Sequence, residues 1–197
     1  MAIDHLARVA LSFAFAATLA VYPLLRPEMP PFAAFALPLV ATAIWWLLAS
    51  LNQHAAPASR RADRAGALTA VFLSAFHLTM LAAFIGEHFW LGRILGLIVG
   101  LFLIVTGNEL PRVRPNVVWG IRTPQTLASE DVWRRVHRLA GYLRVVMGSV
   151  VSVASLTGAS GFAQLIPIAL CLETAVCFGA GMVFSRRKGR FALHGVQ

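Results

Sequence analysis

Few residues in this chain could do chemistry. Its 197 residues hold eight carboxylates, six histidines and two cysteines. His77 and Glu173 stand in the middle of long apolar runs. An ionisable side chain at such a depth in a membrane costs about 2.5–3.5 kcal/mol and marks a buried pair or an ion path. One arrangement sets the two at similar depth, facing the bundle interior and hydrogen-bonded to each other. The other arrangement gives each a separate Ser, Thr or backbone partner. Arg122, His137 and Glu130 could be assembled into a lipid-headgroup enzyme on paper, but no nucleophile or metal set of recognised spacing accompanies them. His77 and His88 are eleven apart, roughly 16 Å along a helix, too far to share a metal. Cys171 and Cys177 lie in one apolar run. Six residues put them about 9 Å apart along a helix and about 120° around it, so no disulfide closes between them. They read as small buried hydrophobes. No catalytic set, metal site or cofactor is expected, and the chain is read as a non-enzyme.

The richest polar stretch is 107–141, "GNELPRVRPNVVWGIRTPQTLASEDVWRRVHRLAG". Asn108 and Glu109 close an apolar run. Pro111 and Pro115 each remove a backbone donor and disfavour helix in the residue before them, so "LPRVRPN" should be turned or extended. Gly120 permits a tight bend before Arg122 and Thr123, and Pro124 stiffens the exit. Ser129 is a good N-cap, followed by Glu130 and Asp131 in the first turn, where the helix dipole favours negative charge. Val132, Val136, Leu139 and Leu143 then form an apolar stripe, while Trp133 and His137 share another side. Arg134, Arg135 and Arg138 fall largely elsewhere. A basic amphipathic helix with a Trp suggests seating at headgroup level. It runs on into the next apolar segment, with a bend at Gly141. The plainer reading is an interfacial elbow that anchors a bundle.

This stretch closely resembles the signature of the SdpI-like family, the sporulation-delay immunity proteins of bacteria. Gly107, Asn108 and Pro111 match its opening; Pro115 and Asn116 match the next part. Gly120, Ile121, Arg122, Thr123, Pro124, Thr126 and Leu127 match its core. Ser129, Trp133, His137, Arg138, Leu139 and Gly141 match its end. Gln125 stands where Trp is usual, and Val136 where Thr is usual. The outer segment after the first span is shorter than is usual in the family. Pro23, Pro27, Pro30 and Pro38 remain there, without the accompanying His and Gly. The resemblance implies a non-enzymatic membrane protein that protects against a secreted peptide toxin and signals by drawing a small repressor to the membrane. Gly120 and Pro124 would then shape the loop. Arg122 would bind an anionic group or clamp the loop to a helix end, and Trp133 would seat the helix at the interface. His137 would titrate near neutral pH or hold a structural hydrogen bond.

The elements that must position these residues follow from composition. Hydrophobic residues make up 58% and charged residues 13%, and mean hydropathy is +0.73. A soluble domain carries about 25% charged residues. Six apolar runs, at about 6–25, 31–51, 65–85, 89–106, 139–156 and 162–184, approach the roughly 20 residues that cross a bilayer core as helix. The first is read as an uncleaved helix, since "MAIDHLAR" is a poor signal-peptide head. The expected fold is therefore all-α: one integral membrane domain over 1–197, a six-helix bundle with 107–141 as its cytoplasmic loop and interfacial helix. With both termini in the cytoplasm, fourteen of the 17 Lys and Arg lie on inner segments and Arg26 alone on an outer one, a strong positive-inside bias. The net charge of +9 is thus a topology signal and an attraction to anionic headgroups, with no direct nucleic-acid partner implied. Gly92, Gly96 and Gly100 recur every fourth residue and should admit a close helix neighbour.

Two functions remain in view. The first is an immunity and signalling protein of the bacterial inner membrane, with anionic lipid headgroups, a peptide toxin and a cytoplasmic repressor as partners. The second is a small-solute or proton-linked transporter using His77 and Glu173, although no repeat symmetry supports it.

Overall fold

Apolar side chains and a backbone that must close its own hydrogen bonds both select helix here. The computed structural model describes residues 2–24, 31–53, 60–85, 90–116, 120–158 and 162–194. Pro27, Pro30, Glu87 and His88 lie outside these. Among the described residues the fold is all-helical: α1 (Ala2–Val21), α2 (Pro31–Gln53), α3 (Arg60–Ile85), α4 (Leu91–Glu109), a short α5 (Pro124–Leu127), α6 (Glu130–Thr157) and α7 (Phe162–His194). Short 3-10 turns at Tyr22–Leu24 and Leu110–Arg112 extend α1 and α4.

Five of the described helices are long and apolar enough to cross a membrane. The sixth expected span corresponds to α2, Pro31–Gln53, 23 residues of helix whose described apolar part is Ala34–Ser50. Large apolar side chains such as Leu101, Val105, Val146, Val150 and Val153 stay exposed on the helix surfaces. Contiguous apolar surface of this kind fits lipid better than water.

The helices pack in two groups joined by α3 against α4. In the first, α1 and α2 lie on α3 over small side chains: Ala7, Leu11, Ala41, Ala67 and Ala70 form one cluster. In the second, α6 packs along α4 on one side and α7 on another.

The α4–α6 contact has a backbone cause. A Cβ on Gly107 would meet the Gly141 carbonyl oxygen at 2.9 Å, and one on Gly148 would meet the Gly100 oxygen at 2.5 Å. Glycine at these four positions lets two backbones touch, as small residues do in membrane helix pairs. The expected Gly92–Gly96–Gly100 stripe is only partly right. A Cβ on Gly92 would meet nothing within 4 Å, whereas Gly107, Gly141 and Gly148 complete the real seam. At Gly141, where a bend was expected, α6 continues as one helix, and the glycine serves this contact.

Gly100 opposite Gly148 and Gly107 opposite Gly141 define one antiparallel register. It sets Leu91 level with Thr157 and Glu109 level with Leu139. The first nine residues of α6 therefore project beyond α4 by roughly 13 Å, and the polar stretch wraps this projection.

Candidate functional site, a loop locked onto the start of α6

After α4 the chain turns tightly at Leu110–Arg112, where Pro111 occupies the first turn, and leaves extended through Val113 (φ −76°, ψ 123°). Leu110 and Val113 are buried while Pro111, Arg112, Arg114 and Pro115 are exposed. The Asn116 side chain donates to the Arg114 carbonyl at 2.8 Å, tightening the turn.

The chain returns at Gly120, whose φ of +121° suits glycine alone. A Cβ there would also strike the His137 Nε2 and stand 3.0 Å from the Trp133 ring. Gly120 is therefore required twice, by its backbone angle and by the rings beneath it. The next peptide, Ile121, donates its N–H to His137 Nε2 at 3.0 Å. The other ring nitrogen, Nδ1, lies 2.9 Å from the Trp133 carbonyl oxygen. One ring thus accepts at Nε2 and donates at Nδ1, which assigns the neutral tautomer protonated on Nδ1. The Trp133 indole N–H reaches the Val113 carbonyl at 2.8 Å, and the indole stacks on His137 with centroids 4.0 Å apart and planes 17° apart. Two side chains four apart on α6 hold both arms of the loop by its backbone.

A second device holds the loop's exit. Thr123 caps α5 and Pro124 stands in its first turn, where a missing N–H costs nothing. The Thr126 hydroxyl accepts the Thr123 N–H at 2.8 Å and donates to the Ile121 carbonyl at 2.8 Å. Gly181 of α7 passes close by, where a Cβ would lie 3.7 Å from the Thr123 hydroxyl oxygen and 3.9 Å from Val136. Beneath the loop, Leu110, Val132, Val136, Ala140 and Cys177 form a buried cluster that includes residues of α6 and α7.

The structure corrects several expectations. Trp133 is 0% exposed, so its ring packs within the protein and not against lipid. The start of α6 carries two covered faces, one under α7 and one under the loop, while Arg134, Arg135 and Arg138 stay exposed. Ser129 occupies the N-cap position with extended backbone, but its side chain makes no capping bond. Asn108, Arg122 and Arg138 are exposed on the surface of the assembly. Cys171 is exposed and only Cys177 is buried.

His77 and Glu173 do not meet. The Thr18 hydroxyl donates to the Ala14 carbonyl at 2.7 Å, so it accepts from His77 Nε2, 2.8 Å away. Glu173 instead takes Arg144, Nε to Oε1 at 2.7 Å. Arg144 belongs to α6. Its place on α6 lies about five residues inside the level of Glu109, roughly 8 Å deeper, and Glu173 is the carboxylate within reach. Spacing within one segment held no signal for a pair 29 residues apart on two helices.

These observations define a class: an integral membrane helix bundle whose connecting loop is locked to one helix. The profile of the SdpI/YfhL protein family matches residues 112–184, which hold most of the loop, all of α6 and much of α7. The immunity protein SdpI of Bacillus subtilis (strain 168) is 36% identical over 85 residues, covering 43% of this chain and 41% of that protein. The alignment thus spans about two fifths of the length of that relative. No solved structure matches. Over this part the chain resembles the SdpI-like family.

Proposed function

We propose that this chain is an immunity protein of the bacterial cytoplasmic membrane that protects its cell from a membrane-active peptide toxin. The 107–141 assembly is its cytoplasmic docking surface, open to a repressor-like protein. The observation that carries this is the lock itself. Gly120, Ile121, Trp133 and His137 all match the family signature, and they join one another through backbone bonds and a ring stack. A loop tethered at both arms presents a fixed surface, and the exposed Arg122 and Arg138 give that surface cationic groups. The positive-inside bias supports its cytoplasmic side, and the likeness to an immunity protein supports the role.

A deletion strain challenged with membrane-active peptides tests the reading. Sensitivity should rise on deletion and be restored by the wild-type gene. Gly120→Val and Arg122→Ala should fail to restore it at normal membrane levels. Unchanged sensitivity together with altered solute uptake would instead support the transporter.

A further inference from the structure

The loop and α6 enclose a second feature that the lock does not use. A cleft of about 800 Å³ opens between the first arm of the loop and the start of α6, lined by Pro111, Arg112, Val113, Arg114, Pro115, Glu130 and Arg134. Three guanidinium groups face one carboxylate. Arg112 is held by Glu109 at 3.2 Å. Among the described residues Arg114 and Arg134 have no ion-pair partner, and both are exposed. The cleft's height follows from the helix register. Arg112 ends the candidate span Leu91–Arg112, and Glu130 begins the span Glu130–Thr157. The α4–α6 register sets Arg134 about 3 Å and Glu130 about 9 Å beyond Arg112, so the cleft lies at and just beyond the polar end of the α4 candidate span. Above it, Tyr142, Val146, Val150 and Val153 form an exposed apolar stripe on α6. Exposed Arg138 and Arg134 stand one and two turns below Tyr142, each turn rotated by about 40°.

We propose that this cleft binds an anionic phospholipid: its phosphodiester lies between Arg114 and Arg134, with Arg112 behind, and its acyl chains run up the α6 stripe. Guanidinium groups suit phosphate because their N–H pairs match two of its oxygens. Glu130 at the rim accepts a headgroup hydroxyl, which favours phosphatidylglycerol over a purely anionic head. The proposal needs α4 and α6 to be membrane spans and does not depend on the immunity role.

The full chain in nanodiscs of phosphatidylcholine with a minor share of phosphatidylglycerol tests it, with retained lipid read by native mass spectrometry. The wild type should enrich phosphatidylglycerol. Arg114→Gln with Arg134→Gln should lower the enrichment by about fivefold per charge removed, and the two Lys variants should keep most of it. Arg8→Gln with Arg186→Gln removes as much charge outside the cleft and should change little. Equal loss in both double Gln variants would mean diffuse attraction and overturn the site. Displacement of the lipid by soluble glycerol phosphate at equal concentration would assign the cleft to a free phosphate and overturn the lipid. Toxin protection is a separate readout, so failure here leaves the immunity reading to its own test.

Discussion

At the scale of single residues, the lock depends on groups that have no substitute. Gly120→Ala places a methyl on the His137–Trp133 stack and forces L-residue strain at a φ of +121°. The expected cost is about 2–4 kcal/mol, measured as reversible unfolding in detergent, with faster protease cleavage within 110–127. Trp133→Phe keeps a ring over His137 but removes the indole N–H from the Val113 carbonyl. A buried acceptor left without its donor should cost about 1–3 kcal/mol and loosen the first arm only. The motif marked Gly120, Trp133 and His137 in advance. It did not tell that the loop touches the rings, because a motif records spacing along the chain and the Ile121–His137 bond joins residues 16 positions apart.

At the scale of elements, the α4–α6 seam separates glycines that look alike in sequence. Gly148→Ala would press a Cβ against the Gly100 oxygen and Ile104, driving the helices apart at about 1–3 kcal/mol. Gly92→Ala meets open space and should stabilise by about 0.5–1 kcal/mol through helix propensity alone. Unfolding midpoints moving the same way for both variants would refute the seam. The four-residue spacing of Gly92, Gly96 and Gly100 was visible along the chain. The seven-residue spacing that pairs Gly100 and Gly107 with Gly148 and Gly141 was hidden, because it acquires meaning only once two helices are laid antiparallel. The amphipathic stripe of α6 is buried as expected at Val132 and Val136, but it is one of two covered faces. Periodicity finds one buried stripe, and here the loop buries a second.

At the scale of the whole molecule, the Arg144–Glu173 pair joins α6 to α7 inside the apolar bundle. Glu173 is 4% exposed and its second oxygen, Oε2, has no hydrogen-bond partner among the described residues. Removing one partner strands the other charge, so Arg144→Gln or Glu173→Leu alone should cost about 3 kcal/mol. Replacing both with Leu should recover most of that loss. A double-mutant cycle in unfolding free energy checks it; additive losses would show that the pair contributes no coupling. The same variants should leave the His77–Thr18 bond between α1 and α3 intact, since the two polar contacts lie in separate helix groups.

Composition and pattern by themselves determined that this is an all-helical membrane protein, that α6 begins after Ser129, and which stretch resembles the family signature. Each of those depends on local causes: transfer of apolar side chains, proline's missing donor, and charge near a span end. Only the tertiary structure decided that Trp133 is enclosed, that Glu173 pairs with Arg144 and His77 with Thr18, and that the arginines at the foot of α6 share a cleft with those after α4. Those outcomes depend on how far one helix slides past another. That register is set where glycine backbones touch, a contact between distant segments that no local pattern encodes.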